Sequence, residues 1–320
     1  MSPTLLAALC LSGQALATEG PWTTPAGQHA TYTGVGIDHF RSFTDGDGGT
    51  QDAPSGVTRF GAKQLWAAGL TDRFDVGVEV PYVFVVADDP AVRSQSAFAT
   101  TSDFSEIRVR LRYLALTETW RRPAVALRGS GRSGFAHSDS RHRITNAGEG
   151  TTDLGVGLSA GKIGLVGPGF LTVSADVDFW YRIALDRVDG QKIPANEARA
   201  ALMVQYAPHR RFGLSVVADG FHRFGGYDLG SLSGVDADHQ WAALDAAQLK
   251  VGGKLMHFAH GRIPNLTLSA YRAVLARNNP NDTWLVELGV GFAFDGLRTR
   301  RATVVTATEP EVSSGSEGPS

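Results

Sequence analysis

Several groups of side chains in the sequence have the types and spacing to do chemistry. Gly129-Ser130-Gly131-Arg132-Ser133-Gly134 matches the pattern G-x-G-x-x-G. A phosphate-binding loop needs a helix directly after it, to present backbone N–H groups to the phosphate. Here the glycines alternate inside an extended segment and no helical pattern follows, so a nucleotide cofactor is not expected. His137, Asp139 and His142 share one polar loop and are metal-ligand types. Loops of this composition collect such residues without binding anything, and no metal is expected. Ser138 beside His137, and His222 near Asp219, offer a nucleophile, a base and an orienting acid. Sequence supplies no geometry for them, so a hydrolase stands as an alternative and no catalytic residue is assigned. The most regular group is Arg108, Arg110 and Arg112, with Glu106 at the same spacing. Arg128 and Arg132 follow four apart, as do the acids Asp75 and Glu79, and Asp176 and Asp178 repeat the spacing of two. A period of two puts charges on one face of a β-strand.

The elements that would carry these charges are long strands. In Phe74 to Val86, one parity holds Phe74, Val76, Val78, Val80, Tyr82, Phe84 and Val86. The other holds Asp75, Gly77, Glu79, Pro81, Val83 and Val85. One face is therefore apolar with aromatic ends and the other carries carboxylates. The length exceeds the usual 5–6 residues of a soluble strand and reaches the roughly 9–11 needed to cross a bilayer at a tilt.

The pattern recurs along the chain. Strands are expected at about 29–43, 58–68, 74–86, 103–116, 124–133, 151–161, 170–185, 198–206, 212–224, 247–258, 266–275 and 284–294. Short turns such as Gly69 to Arg73 alternate with long polar loops at 43–56, 87–102, 134–150, 186–197 and 225–245. A helical turn fits Trp241 to Ala247 in the last of these. Three arginines on one strand face cannot sit unpaired in a dry core. They can line water inside a barrel whose outer face meets lipid. Sorting of loops by length is also a property of bacterial outer-membrane barrels, with short periplasmic turns and long extracellular loops. The fold class is therefore all-β, a transmembrane antiparallel up-and-down barrel of about twelve strands. Aromatics at strand ends (Trp66, Phe74, Tyr82, Phe104, Tyr113, Phe170, Tyr206, Phe212, Trp284, Phe294) suit interfacial girdles.

Composition agrees. The formal net charge is -2, which points to no nucleic-acid partner. Leu5 to Leu11 followed by Ala15-Leu16-Ala17 reads as a signal peptide over residues 1–17, although no Lys or Arg precedes Arg41. The sole cysteine, Cys10, falls inside it, which leaves the mature chain without disulfides or thiol chemistry. Residues 18–294 form the barrel, and 295–320, ending EPEVSSGSEGPS, read as a disordered periplasmic tail.

Two stretches carry a family resemblance. EGPWTTPAG, just before the first strand, and GLTDRFDVGVEVPY at 69–82 resemble the outer-membrane barrels of the meta-pathway phenol-degradation and transporter family. The resemblance implies a twelve-stranded transport channel and a role with aromatic compounds. The last strand also resembles the C-terminal signal read by the barrel assembly machinery, ending in Phe294. The expected function is passive passage of small solutes, aromatic or anionic, across the outer membrane of a Gram-negative bacterium, with outer-membrane lipids, the assembly machinery and the solutes as partners. Arg108, Arg110, Arg112, Arg128, Arg132, Asp75, Glu79, Glu106, Asp176 and Asp178 are the expected lumen-lining residues. Two alternatives stand beside it, an outer-membrane lipid hydrolase and a structural barrel whose lumen is filled by paired charges.

Overall fold

The computed structural model describes residues 20–95, 98–134, 145, 151–184, 195–226, 244–258 and 264–295. The segment read as signal peptide lies outside them, and of the segment read as C-terminal tail only Asp295 lies within. The strands are β1 (Gln28–Thr44), β2 (Thr50–Thr71), β3 (Phe74–Ala87), β4 (Thr101–Phe104), β5 (Glu106–Leu116), β6 (Ala124–Gly134) and β7 (Thr151–Val166). They continue as β8 (Gly169–Ala184), β9 (Asn196–His209), β10 (Phe212–Phe224), β11 (Ala247–His257), β12 (Asn265–Arg277), β13 (Asn279–Pro280) and β14 (Trp284–Asp295). β4 and β13 are short, and the other twelve are the staves of a barrel. Each stave pairs antiparallel with its neighbours in sequence, and β1 pairs with both β2 and β14. The sheet therefore has no open edge, and closure satisfies the backbone groups that a membrane could not.

Alternation decides which side chain faces where. Val109, Leu111 and Tyr113 on β5 are exposed, while Arg110 and Arg112 between them are buried. Leu154, Val156 and Leu158 on β7 are exposed and Asp153 and Ser159 are buried. In a soluble protein this would be inside out. In lipid it is the expected arrangement, with apolar side chains outward and polar ones in the lumen. The ten steps from Phe74 to Phe84 cover about 33 Å of strand, or about 25 Å along the normal at a 40° tilt, the height of such a belt. Near one rim, His29 stacks between Trp66 and Phe294 at 5.6 Å from each, across the seam where β1 meets β14. Near the other, Tyr82 and Phe104 meet edge to face at 5.3 Å.

Several connections differ from expectation. The loop read at 43–56 is mostly strand, because β2 begins at Thr50 and only residues 45–49 turn. The Asp45 carboxylate accepts from the backbone N–H of Asp47 and of Gly49 and tightens that turn. A bulge opposite Arg41 absorbs Ala53 to Gly56, which is how Pro54 and Gly56 fit within a strand. The expected strand at 103–116 breaks at Ser105 into β4 and β5, beside Pro81, which has no N–H to offer the ladder. The connection at 277–282 is also tighter than read, since β13 pairs with the end of β1. Loop lengths thus sort by side in the middle of the chain, but not at its first and last hairpins. The described part of the proposed helical turn, Leu244 to Ala247, is not helical, and Leu244 and Ala246 are buried.

A charged lumen as the candidate functional site

The lumen has three zones. At the end with the short turns, the chain before β1 folds inward. Thr24 N–H donates to Asp75 Oδ2 at 2.7 Å, and Arg112 Nη1 donates to the Gly20 carbonyl at 3.1 Å. Arg112 Nη2 also meets Asp75 Oδ2 at 2.5 Å, and both side chains are about 1% exposed. Trp22 and Pro21 lie over Gly161, where a Cβ would stand 2.6 Å from the indole. Glycine is required there for the segment to seat. The Trp22 Nε1–H donates to Glu118 Oε2 at 3.3 Å.

The middle zone is a chamber of about 430 Å³. Its walls carry seven basic residues (Arg59, Lys63, Arg108, Arg110, Arg128, Arg199, Lys250) and seven acids (Asp38, Glu79, Glu106, Asp176, Asp178, Asp219, Glu287). Most are matched across strands. Arg128 bridges Asp176 at 3.0 Å and Asp178 at 3.4 Å. Lys63 reaches Glu287 at 2.9 Å, and the Tyr32 hydroxyl donates to the same carboxylate at 2.7 Å. Arg199 stands 3.5 Å from Asp219, and Arg59 3.8 Å from Asp38. Against the wall, Asp153 is wholly buried between Arg132, whose Nε it binds, and Arg182 at 3.6 Å. Glu197 closes this network through Arg223 at 3.0 Å and Arg132 at 3.7 Å.

The third zone, toward the long loops, is apolar. Phe40, Phe43, Val57, Val85 and Ala87 from the staves pack with Val92, Phe98, Leu244 and Ala246 from two loops. A second cavity of about 230 Å³ lies among Phe40, Phe43, Phe221 and Leu244. It shares Asp38, Arg59 and Lys250 with the chamber.

The expected site residues fall into distinct places. Glu79, Glu106, Arg108, Arg110, Arg128, Asp176 and Asp178 line the chamber together. Asp75 and Arg112 do not, because they hold the inward-folded segment. Arg132 belongs to the Asp153 network. The arginines are therefore not one continuous ladder, and several are held by carboxylates. Of the hydrolase candidates, His137, Ser138, Asp139 and His142 lie outside the described residues. His222 and Asp219 have opposite parity, so they do not form a pair. His222 Nε2 instead faces Asp245 at 3.3 Å, with a side chain 48% exposed. Sequence reading missed Trp180, which sits on the polar parity of β8 between Asp178 and Arg182. An aromatic on that parity was the signal available. Asp153, Arg182 and Glu287 lie on the polar parity of their strands, as the alternation implies, though they are not among the expected lining residues, and Glu197 was missed because it falls in the loop read at 186–197.

No protein-family model and no curated protein matches the sequence. Solved structures do match in shape. The COG4313 outer membrane channel from Pseudomonas putida F1 superposes with a TM-score of 0.62 at 13% identity, covering 86% of this chain and 98% of that one. The translocator domain of the autotransporter NalP from Neisseria meningitidis gives 0.49 at 13% identity, over 91% and 98% of the two chains. The NanC porin gives 0.47 at 9% identity, over 81% and 98%. At these identities the likeness is one of fold, and the fold is that of bacterial outer-membrane β-barrels.

Proposed function

We propose that this chain is a passive channel for small solutes in the outer membrane of a Gram-negative bacterium. The observation that carries the reading is the chamber: a polar cavity of about 430 Å³, lined by charges of both signs, inside a wall whose outer face is apolar. Charged residues within a membrane protein are retained where a solute or ion passes. Residues 1–17 act in this reading as the export signal, the C-terminal strand ending at Phe294 as the assembly signal, and 295–320 as a disordered periplasmic tail. The aromatic solutes implied by the resemblance would use the apolar loop-side zone, and anionic ones the arginines of the chamber.

Purified protein in planar bilayers tests the reading. Conductance with a small reversal potential in a salt gradient is expected, because the chamber's charges balance. Neutralising Arg108 and Arg110 together shifts the reversal potential toward cations. Arg112 is better left in place, since changing it also frees the segment at Gly20. No conductance and no solute uptake would remove the channel. A second reading, a structural barrel with a filled lumen, draws on the segment at one end and the apolar cluster at the other, and the same experiment decides between them.

A further inference from the structure

Arg108 and Trp180 stand apart from the charge pairing around them. Among the described residues Arg108 forms no ion pair, and its Nε is buried with no hydrogen-bond acceptor. Trp180 is 3% exposed, and among the described residues its Nε1–H also has no acceptor. Both line the chamber. The two are in contact, with the Arg108 guanidinium 5.6 Å from the indole centroid. Gly155, on the next strand, explains how the indole lies flat against the wall. A Cβ there would come within 2.8–3.0 Å of Cε3, Cδ2 and Cζ3. That contact uses the six-membered ring and leaves the N–H on the far edge. Arg132, already held by Asp153, caps the same ring at 4.8 Å and fixes it further.

A buried N–H without an acceptor costs on the order of 1–3 kcal/mol, so such groups are either functional or satisfied by something that arrives. Here two buried donors, one of them charged, belong to touching residues that line one cavity, so a small movement of either side chain would bring its N–H to a ligand held there. The complementary group is an oxyanion. Pro81, Val83 and Leu285 supply apolar wall in the same chamber. We propose that Arg108 and Trp180 form a binding site for a small organic monocarboxylate, with the carboxylate between the guanidinium and the indole N–H and the apolar body toward Pro81 and Val83. This rests on the channel reading in placing the site on a solute's path, but binding itself does not require passage.

Glu79 sharpens the inference. It is the direct cross-strand neighbour of Arg108, lines the chamber and forms no ion pair among the described residues. Its negative charge opposes a carboxylate held at Arg108. Removing it should tighten binding, whereas a merely structural Glu79 would leave binding unmoved.

Calorimetric titration of the full detergent-folded protein with benzoate, and with benzamide as its uncharged isostere, tests the site. Benzoate is expected to bind and benzamide to bind at least about tenfold more weakly, as a charged acceptor strengthens each hydrogen bond. R108Q should weaken benzoate about tenfold or more, and W180F, which keeps a ring over Gly155 without the N–H, about tenfold. E79Q should tighten it about threefold. Heat-modifiable mobility on gels confirms folding of each variant. Should R108Q fail to fold, R108K, which retains the charge, is expected to keep most of the affinity, and W180F and E79Q carry the test. Equal affinity for the two probes, no binding of benzoate, or W180F and E79Q both equal to wild type would overturn the site. Binding without conductance would leave the site standing and remove the channel. Conductance without binding would do the reverse.

Discussion

Asp153 sets the cost of building a polar lumen. It has no exposed surface and lies between Arg132 and Arg182. Asp153→Asn keeps the shape but leaves two guanidinium groups facing each other with one counter-charge fewer. Breaking a buried pair in this way costs about 3–5 kcal/mol, far more than an exposed pair is worth. The expected result is a lower urea midpoint for unfolding in lipid vesicles. An unchanged midpoint would mean that water, not Asp153, carries the arginines. At this scale the sequence was readable wherever a charge shared its strand parity with other charges. Arg108, Arg110, Asp176 and Asp178 were placed in the lumen by parity alone. Which of them pair was not readable, because Arg128 meets two acids from β8, about fifty residues away in the chain, across the intervening β7. Trp180 was passed over because an aromatic residue is ordinarily taken as lipid-facing, and only its position between Asp178 and Arg182 marked it otherwise.

The segment ahead of β1 is the element with the least local structure and the most defined contacts. Its prolines and glycines form no long strand, and sequence reading takes it as a lead-in. Its partners come from remote strands (Asp75, Arg112, Gly161) and from the turn after β5 (Glu118), so local pattern could not announce it. Gly161→Leu would put a side chain where Trp22 sits, and Arg112→Gln would remove the donor to the Gly20 carbonyl. Both variants are expected to raise single-channel conductance above wild type while leaving the folded barrel's gel mobility unchanged. Identical conductance in both would show that the segment is not what limits passage. The staves themselves were legible because length and alternation are local properties. The breaks were less so: the Ser105 interruption of β4 and β5, and the bulge at Ala53 to Gly56, depend on what the neighbouring strand offers.

At the scale of the whole molecule, an even number of staves brings both ends of the barrel chain to the rim with the short turns, so the two mouths of the lumen are built differently. One is filled by a backbone segment held on a buried ion pair. The other is filled by apolar side chains from loops folded inward, with Phe98 and Leu244 each about 3% exposed or less. That second zone was foreshadowed in β3, whose lumen parity turns from Asp75 and Glu79 to Val83 and Val85 along its length. Between the mouths the charges balance, which gives little net preference for either ion. The division of labour predicts that passage and selectivity are separable. Phe98→Ser with Leu244→Ser should loosen the loop-side mouth, at about 2–5 kcal/mol for each large side chain lost from the cluster, provided the barrel still folds. Liposome swelling by small sugars is expected to quicken, while the reversal potential in a salt gradient stays at the wild-type value. That follows because every charge in the chamber, Arg108 and Arg110 among them, is left in place. A reversal potential that moved with the mouth variant would put the filter among the loops, and the chamber would then be a passage without a voice in what crosses it.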